Sequence, residues 1–169
     1  DVYKIYFLDS VKLLTLTGDV QPEDPRDLLD LCHAFLDFCL SIGQIKRLYT
    51  AGGSLNEMLT GEPRVVGVTT KPELRKILES SNVDTLGSEF TTITWFNGLI
   101  LGIASDRNIE AIGFYGEISD KTLPQPLAAK SIVKAFSRIE RLPISTKLFD
   151  AQYEEVLDHI ERNKGMKNQ

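Results

Sequence analysis

Four short stretches hold the residue types from which a site could be built: Thr17-Gly18-Asp19, Ala51-Gly52-Gly53, Trp95-Phe96-Asn97-Gly98 and Gly116-Glu117. Each follows an apolar run that reads as a strand or a short β-like segment. Each also carries a glycine, which lets backbone approach a ligand closely. In an open α/β sheet, ligands collect at the carboxyl ends of the strands. The candidate rim is therefore Thr17, Gly18, Asp19, Gly52, Gly53, Asn97, Gly98, Gly116 and Glu117. If the strands run parallel, Asp19 and Glu117 approach one cleft as two carboxylates suited to acid–base work. The plainer reading has more behind it: glycines after strands serve turns, and strand-end carboxylates accept backbone N–H groups. No catalytic residue is assigned. The glycines fit neither a phosphate loop nor a dinucleotide fingerprint, and no Gly-x-Ser-x-Gly elbow occurs.

Other chemistry is thinly supplied. Cys32 and Cys39 are the two cysteines. On a helix, seven residues separate them by about 10 Å, beyond the roughly 7 Å that a disulfide spans. Two unpaired thiols in an apolar helix fit a reducing compartment, and a cytoplasmic location is expected. With no Cys-x-x-Cys pair, and with His33 far from His159 in sequence, neither metal nor cofactor is expected. Lys130, Lys134, Arg138 and Arg141 form a basic stripe at helical spacing. It reads as the solvated face opposite Ile132 and Phe136 rather than as a dock for an acidic partner. The Trp95-Phe96 pair reads as core, with a partner anchor as the alternative.

The elements that position these residues follow from periodicity. Val2–Leu8 and Val11–Thr17 are β-rich runs either side of a tight turn. Asp24 before Pro25 marks a helix start, and Leu28, Cys32, Phe35, Leu36, Cys39 and Ile42 continue it to Gly43. Ile45–Thr50 and Arg64–Thr70 read as strands, with a helix from Pro72. Thr91–Thr94 is a short β-like run, Asn97 is placed to cap a helix through Ala104, and Ile109–Tyr115 is a strand. A long helix through Ala128, Ile132, Ala135 and Phe136 follows the loop of Pro124 and Pro126. The last helix carries Tyr153, Val156, Leu157 and Ile160 at i, i+3, i+4 and i+7, then frays into the polar tail Asn163–Gln169. Strands alternating with helices mean an α/β fold with a mostly parallel sheet, with Leu13–Leu16, Leu48–Thr50, Val65–Val68 and Ile112–Phe114 at its centre. The expected organisation is an α/β domain over 1–148 and a C-terminal helix and tail over 149–169. The apolar face Tyr153, Val156, Leu157, Ile160 is the candidate partner-binding surface, because such a face must bury somewhere.

Composition narrows the class. The chain has 169 residues, 42% apolar and 25% charged, with 19 basic against 24 acidic side chains and a formal net charge of −5. Such a chain can close a core without staples. An acidic balance argues against nucleic acid as a partner, and no apolar run reaches the length of a membrane span.

Five segments, in order, carry a resemblance: Leu14-Thr15-Leu16-Thr17-Gly18-Asp19-Val20-Gln21-Pro22, Ile45–Gly53, Pro63–Thr70, Asn97–Gly102 and Ile112–Glu117. Together they resemble the proteasome assembly chaperone family of the second-subunit type, with its archaeal and actinobacterial members, over nearly the whole chain to Leu142. The resemblance implies a three-layer α/β/α fold similar to nucleoside phosphorylases and no established catalytic activity. It implies homo- or hetero-oligomers and, as partners, proteasome α-subunits. Family members begin with a further βαβ portion, with a Gly-rich turn, ahead of the segment that matches Tyr3–Phe7, and the 1–148 domain is expected to lack it. Family members that dock by their tails end in a hydrophobic-Tyr-x sequence, which Lys167-Asn168-Gln169 is not. A protein acting by association is the first reading. A small-molecule-binding protein or enzyme using the strand-end rim, for a nucleoside-like or carboxylate ligand, is the second.

Overall fold

The computed structural model describes residues 3–85, 93 and 95–167, the side chains of 163–167 apart. Eleven elements follow one another: β1 (Lys4–Leu8), β2 (Leu13–Thr17), α1 (Pro25–Ile42), β3 (Leu48–Leu55), β4 (Val65–Thr69), α2 (Arg75–Ser80), β5 (Asp84–Thr85), α3 (Trp95–Asp106), β6 (Ala111–Ile118), α4 (Pro126–Glu140) and α5 (Lys147–Lys167). The expected run Thr91–Thr94 lies, apart from Ile93, outside the described residues.

The main sheet has the order β3-β6-β4-β5. β3 runs parallel to β6 and β4 parallel to β5, while β4 is antiparallel to β6. Helices cover both faces. On one, Cys32, Phe35 and Leu36 of α1 and Ile100, Leu101, Ile103 and Ala104 of α3 pack with Ile109 and Ala111. On the other, Leu74, Leu78 and Val83 pack with Ala135 of α4 against Val65, Ile112 and Phe114. The strict alternation Ala111, Ile112, Gly113, Phe114 sends successive β6 side chains to opposite faces, as a central strand covered twice requires. Gly113 is fixed by that crowding. A Cβ there would lie 2.8 Å from both Leu101 Cδ1 and Val68 Cγ2.

Two placements differ from the sequence reading. Leu13–Leu16 is not in the main sheet: β2 pairs antiparallel with β1 in a separate two-stranded sheet, attached to the α1–α3 cluster through Leu14 and Leu16. β3 is an edge strand rather than a central one. β4 opposes β6 because the segment 56–64 carries no helix, and a parallel return needs a crossover of a dozen residues or more.

Helix starts and stops obey local rules. The Asp24 side chain accepts from the Arg26 N–H at 2.7 Å with Pro25 in the first turn, and α1 ends before Gly43, whose N–H reaches the Cys39 carbonyl. α5 does not fray at Asn163 but continues as helix through Lys167. No helix among the described residues is long and apolar enough to cross a membrane.

Candidate functional site

Because β3 and β6 run parallel in register, Gly52 lies beside Tyr115 and Gly53 beside Gly116, and the strand ends meet at one rim. α3 starts there. Asn97 does not cap it, since α3 already begins at Trp95. Its Nδ2 instead donates to the Ala51 carbonyl at 2.9 Å, tying the first turn of α3 to β3. Gly52 makes room for this, because a Cβ would sit 2.9 Å from Asn97 Nδ2 and 3.2 Å from the Tyr115 ring. Gln21 Oε1 accepts from the Phe96 N–H at 3.2 Å and brings the loop after β2 to the same corner. Gly98 allows the close start of the helix, since a Cβ would fall 2.2 Å from the Ile93 carbonyl oxygen. Trp95 does not join the core: it is 59% exposed, at a φ of 64° that bulky residues rarely adopt, whereas Phe96 packs against the α1–α3 cluster.

Glu117 is buried at the end of β6, and its carboxylate is fully engaged. Oε1 accepts from Arg64 Nη2 at 2.8 Å, Arg64 Nε at 3.2 Å and Asn56 Nδ2 at 3.1 Å, and Oε2 accepts from the Arg64 N–H at 3.1 Å. Donation by the Arg64 side chain, chiefly, holds the carboxyl below its ordinary range. Such an ionised carboxylate is a clamp from β6 to the entry of β4 and to the 56–64 loop. Asp19 follows β2, in the other sheet, and is exposed along with Thr17 and Gly18. The rim thus gathers Gly52, Gly53, Asn97, Gly98, Gly116 and Glu117 through the β3–β6 register and the Asn97–Ala51 bond. Thr50 Oγ1 and Tyr115 OH are buried hydroxyls of the adjacent strands β3 and β6; burial pushes the Tyr115 phenol up, and the Thr50 hydroxyl beside it offsets part of that rise.

A groove of about 520 Å³ runs between α1 and α3, over Leu29, Gly98, Leu99, Gly102 and Ile103, with His33 and Arg107 also lining it. There Arg107 Nη2 lies 2.7 Å from His33 Nδ1, and Nη1 pairs with Asp37. Among the described residues no three His, Cys, Asp or Glu side chains gather to hold a metal ion. Cys32 and Cys39 are free thiols, and burial pushes Cys32 up to about 11.

Three of the four residues of the basic α4 stripe make contacts within the chain. Lys130 pairs with Asp150 of α5, Lys134 with Glu62 at 3.8 Å, and Arg138 Nε donates to the Ser81 carbonyl at 3.0 Å. Arg141 is exposed past the helix end. α5 packs along α4 with Tyr153, Val156 and Ile160 half-buried, leaving Leu148 and Leu157 exposed.

Sequence reasoning missed a network at the opposite end of β3. Arg47 Nη1 reaches Tyr49 OH at 3.2 Å and Glu140 Oε1 at 3.0 Å, Nη2 reaches Glu110 at 3.2 Å, and the Tyr49 hydroxyl donates to Glu140. The Tyr49 ring stacks on Phe114 and meets Phe136 edge-on. Its members lie far apart in sequence, so the alternation of Arg47 and Tyr49 on a strand start was the one local signal.

A mixed, mostly parallel sheet between helix layers defines an α/β protein with a glycine-lined strand-end rim. The profile of the PAC2 family matches residues 2–164, and the chain belongs to that family. Among solved structures it is similar to Pyrococcus furiosus PbaB, an archaeal proteasome activator (TM-score 0.79, 26% identity, covering 89% of this chain and 64% of PbaB). It is also similar to Pyrococcus furiosus PbaA, an archaeal homologue of proteasome-assembly chaperone (TM-score 0.85, 19% identity, 98% of this chain and 67% of PbaA). A Mycobacterium tuberculosis proteasome-assembly chaperone homologue shares the fold (TM-score 0.64, 13% identity, 95% of this chain and 74% of that one). The chain thus spans about two thirds of the length of the Pyrococcus proteins. Among curated proteins nothing matches it.

Proposed function

We propose that this chain works by association, as a proteasome-assembly-chaperone-like protein that binds proteasome α-subunits in the cytoplasm and forms homo-oligomers. The carrying observation is membership of the PAC2 family over residues 2–164, together with the likeness to PbaA and PbaB. The site supports it from the other side: the rim carboxylate Glu117 is spent on Arg64 and Asn56, so it is no free base. Along α5, Leu157 and Leu148 are the exposed apolar residues available to a subunit, flanked by the half-buried Tyr153, Val156 and Ile160. Mixing the chain with proteasome α-subunits and following ring formation by native gel tests the proposal. A complex, weakened by Leu157→Asp, is the expected result. No complex and no change in ring assembly overturns it.

A second reading has one observation in its favour. Thr50 Oγ1 and Tyr115 OH, buried beside each other near the rim glycines, are hydroxyls that a nucleoside-like or carboxylate ligand entering there would engage. Retention of such a ligand by the chain, lost in Tyr115→Phe, would favour that reading.

A further inference from the structure

The groove between α1 and α3 leads away from the rim at Gly98 towards Arg107, just past the end of α3. Along α3 its wall is Gly98, Leu99, Gly102, Ile103 and Asp106, one stripe of the helix about 12 Å long. Across it stands Leu29 of α1, 38% exposed. Its middle is Gly102. Glycine inside a helix is destabilising relative to alanine. At Gly98 the chain's own packing demands it, because a Cβ there would strike the Ile93 carbonyl. Gly102 has no such reason: a Cβ would meet nothing within 4 Å, and its backbone is not left-handed. The bare backbone keeps open a floor that the chain itself does not fill.

The margin of the groove is acidic. Asp106 is exposed in the last turn of α3, where the negative end of the helix dipole disfavours a carboxylate. Among the described residues no cation pairs with it. Asp30 and Asp37 are exposed seven residues apart on one side of α1, and of these two Asp37 is the one with a partner, Arg107. Three carboxylates therefore stand with one guanidinium along the groove, and Arg26 lies a turn beyond.

We propose that this groove docks an amphipathic helix of another protein, whose apolar ridge lies over Gly102 and ends in a lysine or arginine paired with Asp106. Shape selects a helix. Anchors at i, i+4 and i+7 span about 10.5 Å, which matches the α3 stripe, and a glycine floor lets a third helix axis approach closely. Charge selects the basic end, because the acids along the margin outnumber the bases and Asp106 has no cation of its own. Charge also turns away a second copy. The exposed apolar residues of α5, Leu148 and Leu157, are flanked by Asp150, Glu154, Glu155, Asp158 and Glu161, which would meet the groove's carboxylates with like charge.

The proposal stands apart from the proteasome reading: Leu157→Asp, which should weaken an α-subunit complex, should leave this groove's binding unchanged. The probe is a fluorescein-labelled peptide of about 15 residues, the length at which isolated helices begin to form. It carries leucines at i, i+4 and i+7, a lysine at i+11, and alanine and glutamine elsewhere; a second peptide has glutamate in place of the lysine. Fluorescence anisotropy should show the lysine peptide binding the parent chain more tightly than the glutamate peptide. Gly102→Leu fills the floor and should weaken binding about tenfold or more, the equivalent of one leucine side chain kept from burial. Its thermal unfolding followed by circular dichroism should not fall, since leucine is a better helix former and no atom stands in its way. Asp106→Lys should weaken the lysine peptide about threefold and invert the preference between the two peptides. A parent chain that binds neither peptide overturns the proposal, and so does binding that Gly102→Leu leaves unchanged or a preference for the glutamate peptide. An oligomer of the parent chain that Gly102→Leu dissociates in sedimentation would make a second copy the occupant and overturn it too.

Discussion

Glu117 shows how a residue type suited to chemistry is turned to structure. A carboxylate at a strand end can serve as a base only if a lone pair is free for a substrate proton. Here Arg64 and Asn56 provide four donors to it, and the carboxyl titrates below its ordinary range. Replacing it by glutamine removes the charge that these bonds depend on. Glu117→Gln should cost about 1.5–3 kcal/mol at neutral pH, read by urea denaturation. The sign of the pH effect follows from the lowered pKa. The carboxylate's stabilisation is present above its unfolded value and fades as pH falls through the folded one. The parent and Glu117→Gln should therefore converge in stability on acidification from neutral pH towards pH 3. A gap that persists unchanged into acid would mean that the ionised clamp is not what holds β6 to β4.

At the scale of elements, the hydrogen-bonded ends and the apolar periods were legible, and the pairing between strands was not. Asp24-Pro25 announced α1, and Leu28, Cys32, Phe35 and Leu36 are its buried side, because capping and a 3.6-residue period are local properties. The orientation of β4 depends on what lies between strands. The missing helix in 56–64 was the available signal, and it was outweighed by the general alternation of patterns. The α4 stripe has the spacing of a solvated face, and Arg138 and Arg141 are exposed, but the partners of Lys130, Lys134 and Arg138, namely Asp150, Glu62 and Ser81, come from three other segments and could not be read from that spacing. The rim was legible as a set of glycines, while the engagement of Glu117 was not, since Arg64 and Asn56 are remote in sequence. The Arg47 network joins the start of β3 to the end of α4 and belongs to this scale. Arg47→Ala strips Glu140 and Tyr49 of a charged partner in a mostly buried setting. It should lower stability by about 2–3 kcal/mol, against about 1 kcal/mol for Tyr49→Phe. Chemical denaturation of both variants checks the ranking, and equal small losses would show that water replaces the guanidinium.

Over the whole molecule the question is which surfaces are committed internally and which are left for others. The α1–α3 and α2–α4 layers close both faces of the main sheet. The hairpin is attached to the α1–α3 cluster through Leu14 and Leu16. α5 is intermediate: Lys130–Asp150 and the half-buried Tyr153, Val156 and Ile160 bind it to α4, yet Leu148 and Leu157 face outward. Three side chains buried about halfway contribute roughly 1 kcal/mol each, a fraction of the 5–15 kcal/mol typical of a domain. A chain ending at Thr146 should therefore still fold and unfold in one transition, with its midpoint lowered by an amount equivalent to about 3 kcal/mol. The denaturant dependence should shallow slightly, since less surface is exposed on unfolding. An unchanged midpoint would show that α5 adds nothing to the stability of its own chain, leaving its whole apolar face for a partner. A chain that cannot fold without α5 would place the helix within the core unit instead.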